Sequence, residues 1–327
     1  MRVHLKRTVL FILALVLVLG LVACKAGGST TAQTSASTTA PVEMGELAFI
    51  PPAMESPFYA ATIEGAKPAA EKLGYKLLVL SPEKPDDYAG QVKIIEDMVQ
   101  KKVKGIAICA HDDKAIVTAV LKANEANIPI VIFNSLTDLP GGKVYAYSGY
   151  DQASGAAKIA EWINRVKNGS ANVAVLQGLP GFHATERTRG FVDKVKEFPG
   201  IKIIGMQPAD WAREKGMNVA QNMLQANPEI NVFYGQNDES ALGAAQACKQ
   251  MGKTDILTVG IDGNPNAMEA IKKGELSATL YVNPVGIGAT AIQLLADAIS
   301  GKPAPANNKV AVDTVVVDGS TVDQYLK

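Results

Sequence analysis

From residue 45 onward, short unbroken apolar runs alternate with helix-length amphipathic stretches. The runs at 46–50, 76–80, 105–109 and 129–133 are separated by stretches at 58–73, 88–102 and 115–127. A second series repeats the theme, with runs at 171–177, 201–206, 232–234 and 256–260 and amphipathic stretches at 184–197, 214–225, 240–251 and 265–273. Strands that are apolar throughout, rather than at alternate positions, are buried on both faces, which is the mark of a parallel sheet with helices on each side. Two such series predict an α/β fold of two doubly wound parallel-sheet lobes rather than one very wide sheet. No Pro/Gly-rich linker divides the halves, so the lobes are expected to exchange chain more than once.

The first two dozen residues do not belong to this pattern. Arg2, Lys6 and Arg7 precede a 14-residue apolar run at 9–22, short of the roughly 20 residues a membrane span needs and suited to a signal peptide. The run ends in Leu21-Val22-Ala23-Cys24, which resembles the lipobox of bacterial lipoproteins, so 1–23 is expected to be removed and Cys24 lipidated. Residues 24–44, rich in Ser, Thr, Ala and Gly, have little to bury and read as a flexible tether. The protein is therefore expected to be extracytoplasmic and anchored to the membrane through lipid. Processing also changes the charge. The full chain has 32 Lys+Arg against 32 Asp+Glu, and loss of the three basic residues in 1–23 leaves 29 against 32, a net −3.

Composition and motifs exclude several functions. Balanced charge offers no basic field for phosphates, so no nucleic-acid partner is expected. Three cysteines without a Cys-x-x-Cys pair give neither a disulfide framework nor a zinc site. His111-Asp112-Asp113 reads as a helix cap rather than as metal ligands, and no metal or cofactor is expected. Residues 286–291 (GIGATA) lack the third glycine of a dinucleotide fingerprint and read as helix–strand packing. Cys109 and Cys248 read as small buried hydrophobes, and Trp162, sharing a helical face with Ile159 and Val166, as core. With no Gly-x-Ser-x-Gly elbow, no P-loop and no evident acid/base pair, the chain is not expected to be an enzyme.

In open parallel sheets, ligands sit beyond the carboxyl ends of the strands. The residues there, Ala110-His111-Asp112, Asn134-Ser135, Gln177-Gly178, Gln236-Asn237-Asp238 and Asp262-Gly263 among them, form a polar and mostly neutral rim. Amides and carboxylates of this kind pair with hydroxyl groups. Phe58, Tyr59 and Trp211 fall near the same ends and offer apolar ring faces for the C–H face of a sugar.

Five runs carry a family resemblance: SPFYAATIEGAKPAAEKLGY (56–75), ERTRGF (186–191), QPADW (207–211), GQNDESALGA (235–244) and VGIDGNP (259–265). Together, and over 45–317 in order, the chain resembles the ribose/galactose-type branch of the periplasmic binding proteins, the solute receptors of ABC sugar importers. The resemblance implies the type I fold of that family, two lobes joined by three crossover strands, with passages expected near Tyr150, Val282 and Lys309. The N-terminal lobe is then 45–149 with 283–310, and the C-terminal lobe is 150–282 with 311–327. It implies a ligand in the interlobe cleft and hinge closure over it.

By position, Phe58, Tyr59 and Trp211 match the family's stacking rings, Arg187 its guanidinium fork, Asn237 its amide contact and Asp262 its carboxylate. Three places depart from the ribose-type pattern. Asn134-Ser135 stands where that branch has Asp-Arg, Ser56 where it has Asn, and Val282-Asn283 where it has Gln. The departures point away from D-ribose, toward another pentose or hexose or an open-chain polyol. Asn134, Ser135, Ser56 and Asn283 become candidate contacts at those places, and His183 and Glu186 candidate replacements beside Arg187. The resemblance thus implies the solute-binding component of an ABC importer, acting as a monomer and delivering a monosaccharide or sugar alcohol to permease subunits. A receptor for a sugar-like chemotaxis or quorum signal is the alternative. A sugar-responsive repressor would need a DNA-binding segment ahead of the core, where this chain has a signal peptide and tether.

Overall fold

The structure, a computed structural model, describes residues 44–326. The expected signal peptide, Cys24 and all but the last residue of the expected tether lie outside the described residues. The chain begins with β1 (Glu46–Ile50), α1 (Pro57–Lys72), β2 (Lys76–Val79), α2 (Tyr88–Lys101), β3 (Gly105–Ile108), α3 (Val117–Glu125), β4 (Ile130–Phe133) and β5 (Ala146–Gly149). It continues through α4 (Gln152–Val166), β6 (Ala171–Gln177), α5 (Phe182–Val195), β7 (Ile201–Pro208), α6 (Arg213–Ala226) and β8 (Val232–Gly235). After these come α7 (Asp238–Gln250), β9 (Leu257–Asp262), α8 (Pro265–Lys272), β10 (Ala278–Tyr281), α9 (Pro284–Ile299), β11 (Lys309–Ala311) and β12 (Val315–Asp318).

The strands form two six-stranded sheets, in the orders β11-β5-β4-β3-β1-β2 and β12-β10-β9-β8-β6-β7. The first is parallel throughout, with Leu47 opposite both Leu77 and Gly105. The second is parallel except at its edge, where β12 runs against β10. Helices on both faces bury the central strands completely, as the unbroken apolar runs require: every residue of β3, β4 and β8 is buried. The expected two-lobed α/β architecture is present. The chain passes between the lobes at 150–151, 282–283 and 312–314, the last lying a few residues beyond Lys309 because β11 stays in the first sheet through Ala311. These three short passages explain why no linker composition is visible.

Several local expectations are refined by packing. The 286–291 segment lies inside α9 and packs helix on helix as well as against its sheet: a Cβ on Gly288 would overlap the Thr62 carbonyl of α1, and one on Gly65 the Val285 carbonyl. The two helices approach backbone to backbone, and glycine is what fits there. Trp162 is buried in the core with Ile159, and its Nε1 donates to Asp318 Oδ2 at 3.1 Å, but Val166 at the helix end is exposed. Asp112 caps a turn rather than α3, its Oδ1 accepting from the backbone N–H of Lys114 (2.9 Å) and Ala115 (2.8 Å). Cys248 is buried among the apolar side chains of its lobe.

Candidate functional site

The carboxyl ends of both sheets face one cavity of about 310 Å³, lined from both lobes. Lobe one supplies the turn before α1. Pro57 occupies the first helical turn, where its missing N–H costs nothing. Ser56 precedes it as N-cap with its hydroxyl unused for capping, and Phe58 and Tyr59 follow, their rings edge to face at 5.1 Å. The end of β3 adds Cys109, Ala110 and His111, clamped by Gln91, whose Nε2 donates to the Cys109 carbonyl at 3.0 Å. The end of β4 adds Asn134, whose positive φ of 61° turns the chain at the rim.

Lobe two answers with Arg187, Trp211, Asn237 and Asp262. Trp211 and Asp210 both adopt left-handed backbone (φ 64° and 53°), held where the N–H groups of Ala209 and Asp210 both donate to the Gln177 carbonyl. Gly178 makes the space: a Cβ there would overlap the indole. Arg187 is buried in the second turn of α5, and three of its five N–H donors are bonded within the protein. Its Nε donates to Gln152 Oε1 (2.8 Å), one Nη to the Tyr150 hydroxyl (2.6 Å) and the other to the Gln236 carbonyl. The guanidinium carbon lies 5.3 Å from the Trp211 ring centre, and Nη1 lies 3.8 Å from Asp262 Oδ1. Gln152 also donates to the Asn134 carbonyl (2.9 Å), so one amide ties Arg187 of lobe two to the rim of lobe one. Asn237 caps α7 through Oδ1, which accepts from Ser240 N–H at 3.0 Å, and its Nδ2 donates to the Trp211 carbonyl at 3.1 Å.

The electrostatics are set by burial. Asp262 is 4% exposed, and burial pushes its carboxyl up to about 7 against the pull of Arg187. Asp238 behind it is completely buried, and burial together with the Asp262 charge holds its carboxyl well above the usual range. Asp238 is satisfied by the Thr279 hydroxyl and the Asn264 backbone N–H (2.8 Å), which fixes the turn that presents Asp262. Burial also holds the His183 imidazole well below its ordinary value, with Arg187 and His111 adding to the effect.

All seven principal candidates, Phe58, Tyr59, Asn134, Arg187, Trp211, Asn237 and Asp262, line this one cavity, as do Ser56 and His183. Three candidates do not. Ser135 faces a separate small pocket and its Oγ accepts from Thr137 N–H at 3.1 Å. Asn283 caps α9, its Oδ1 taken by Gly286 N–H (3.1 Å) and the Tyr281 hydroxyl (3.2 Å). Glu186 points away into an ion pair with Arg189 at 2.6 Å.

Sequence reasoning put His111 and Gln236 on the rim without naming either as a candidate contact, and it missed the cage that Gln152, Tyr150 and Gln236 make around Arg187. Cys109 joins the hydrophobic core, as expected. The thiol is buried, but its sulfur lies 3.4 Å from the Tyr59 hydroxyl, 3.6 Å from His183 Nε2 and 3.9 Å from Asn134 Nδ2, so it stands in a polar cluster behind the cavity wall. Among the described residues no group of three or more His, Cys, Asp or Glu is arranged to hold a metal ion.

The architecture agrees with comparisons to known proteins. A family model described as a periplasmic binding protein domain matches residues 47–303. The ribose import binding protein of Escherichia coli K12 is 33% identical over 271 residues, covering 83% of this chain and 90% of that protein. The D-allose-binding periplasmic protein of the same strain is 33% identical over 296 residues, covering 88% of this chain and 94% of that protein. Among solved structures, an ABC transporter periplasmic solute binding protein from Actinobacillus succinogenes 130z with bound D-allose superposes with a TM-score of 0.81 at 31% identity. The match covers 86% of this chain and all of that one. With a family model spanning most of the chain and relatives aligned along nearly their whole length, the chain belongs to the periplasmic binding protein domain family.

Proposed function

We propose that this protein is the extracytoplasmic solute-binding component of an ABC-type importer, which takes a neutral monosaccharide or sugar alcohol into the interlobe cavity and delivers it to the permease by hinge closure. One observation carries the reading. Aromatic rings from opposite lobes, Phe58 and Tyr59 on one side and Trp211 on the other, line a cavity that also holds the buried Arg187–Asp262 pair. Ring faces suit the C–H face of a sugar, while the carboxylate and guanidinium accept from and donate to hydroxyls. A cavity of about 310 Å³ is of the size of a small-molecule site. The import and sugar-binding roles of the relatives support the same class.

Asn134 in place of an acid favours another pentose or hexose, or a polyol, over D-ribose. The three passages at 150–151, 282–283 and 312–314 serve as the hinge. Ligand contacts from both lobes make the closed state the better binder, so ligand shifts the population toward it. Cys24 carries the lipid, and the protein works as a monomer.

Deleting the gene tests the transport role. Uptake of the cognate sugar is lost while sensing of it survives, whereas intact uptake with lost sensing would favour a signal receptor. Cys24→Ala moves the protein from the membrane to the soluble fraction, and an unchanged membrane fraction would refute lipidation.

A further inference from the structure

The passages between the lobes all lie on one side of the molecule. They leave from β5, β10 and β11, and the strands they involve, β5 and β11 in one sheet and β10 and β12 in the other, stand at one end of each sheet order. Tyr88 begins α2 after β2, the opposite edge of the first sheet, and Pro180 follows β6, next to the opposite edge of the second. A contact between these two residues therefore sits at the mouth of the cleft, far from the hinge. Rotation about the passages separates the lobes most at that place.

There the lobes touch directly. The Tyr88 hydroxyl donates to the Pro180 carbonyl at 3.0 Å, and since a carbonyl only accepts, the direction of this bond is fixed. The His111 ring of lobe one stacks on the Tyr88 ring, 5.5 Å between centres and 19° between planes. The backbones come close as well, for a Cβ on Gly181 would lie 2.8 Å from the His111 carbonyl. Each partner is held in place by its own lobe. Asp87 caps α2 by accepting from the Gly90 N–H at 2.8 Å, which sets Tyr88 at the helix start. Gly178, two residues before Pro180, donates its N–H to Gln236 Oε1 at 3.0 Å. A bond between groups already in position loses little to ordering. Neither Tyr88 nor Pro180 lines the cavity.

We infer that Tyr88 sets the affinity of the site without touching the ligand: its hydroxyl on the Pro180 carbonyl and its ring on His111 latch the mouth of the cleft and hold part of the ligand-free population closed. Apparent affinity scales with the fraction of the protein in the binding-competent state. The latch acts on the closed state whatever occupies the cavity. It therefore strengthens binding of every ligand by one factor and cancels from the ratio between any two.

Pulsed electron paramagnetic resonance on the full chain in detergent tests this. Spin labels on Glu83→Cys and Glu214→Cys, exposed residues on the two lobes at the mouth, report how far apart the lobes stand. The parent, whose Cys109 and Cys248 are buried, is the labelling blank. Without ligand, the distances show a short, closed component beside a longer one. Tyr88→Phe keeps the ring, loses the hydroxyl and lowers the ratio of closed to open about 3- to 10-fold. Tyr88→Ala lowers it further. Tyr145→Phe is the control, because the Tyr145 hydroxyl donates to the Pro303 carbonyl at 3.0 Å within lobe one, and its loss leaves the closed fraction unchanged. In calorimetry with D-allose, D-xylose, myo-inositol and ribitol, Tyr88→Phe weakens every probe that binds the parent by the factor by which the closed fraction falls. No short component in the parent, or the parent's closed fraction in Tyr88→Phe, overturns the inference while sugar binding stands. Losses that differ by more than about threefold between probes do the same. The affinities rest on the sugar-binding reading, whereas the distances need no ligand. A closed component that depends on Tyr88 while no probe binds would leave the latch standing and the sugar-binding reading fallen.

Discussion

Asp262→Asn removes a charge and almost no volume from the centre of the cavity, so its effects on binding and on stability separate cleanly. In the folded chain Asp262 is 4% exposed, 3.8 Å from Arg187 and 3.3 Å from Asn264 Nδ2, with its carboxyl pushed up to about 7 by burial. An unfolded Asp titrates near about 3.9. The folded value is the higher one, so this group's contribution to stability is fully present below about pH 4. It is lost as pH rises toward about 7 and is constant beyond that. The slope is at most one proton, about 1.4 kcal/mol per pH unit. Asn cannot titrate, so the variant's stability relative to the parent improves between pH 5 and pH 8. Asp238, shifted in the same direction, leaves a residual slope in both proteins. Binding responds oppositely. Each charge-assisted hydrogen bond to a sugar hydroxyl contributes about 1.5–3 kcal/mol, so affinity at pH 8 falls about 10- to 100-fold. Urea unfolding at the two pH values and calorimetry at pH 8 read both effects. A variant with the parent's pH slope, or with sugar affinity within about threefold of the parent, would refute the reasoning.

Other sites give sharper local outcomes. Gly178→Ala forces the Trp211 indole from its seat and lowers sugar affinity at least about tenfold with little loss of stability, whereas Gly190→Ala drives a Cβ into the Ala153 carbonyl between α4 and α5. The second variant loses about 1–3 kcal/mol in unfolding experiments and keeps its affinity. Arg187→Lys retains the charge but cannot reach Gln152, Tyr150 and the Gln236 carbonyl together, so it destabilises by about 1–3 kcal/mol. A melting temperature equal to the parent's would contradict that. Small-angle scattering records a smaller radius of gyration once sugar is added, and an unchanged radius would argue against the hinge.

The fold was legible where the pattern was long. Strand 46–50 and the run 171–177 match β1 and β6 to the residue, because their buried stretches leave no ambiguity of face. The four-residue strands β5 and β10 have polar Ser148 and Thr279 among their apolar residues, and their identities come from pairing with β4 and β9. Phe58, Arg187, Trp211 and Asp262 could be picked out because each sits at a strand end or in a helix's first turns, inside a run that the resemblance covers. His111 and His183 are 72 positions apart in sequence and meet only because the lobes face each other across the seam. No spacing rule joins them. The polar neighbours of Cys109 escaped for a related reason: its burial was legible in the apolar strand, but the histidine at its sulfur comes from the opposing lobe.

The chain contains two tryptophans, Trp162 in the core and Trp211 in the cavity, so Trp162→Phe leaves a single tryptophan, at the proposed binding site. Losing the Trp162 bond to Asp318 costs about 1 kcal/mol and leaves the cavity untouched. Titrating that variant with neutral sugars and polyols is the most direct test of an interlobe sugar site. The account predicts a saturable change in Trp211 emission with one of them, at one ligand per chain and with the same affinity as calorimetry. Calorimetric binding that leaves Trp211 emission unchanged would place the ligand elsewhere and contradict it.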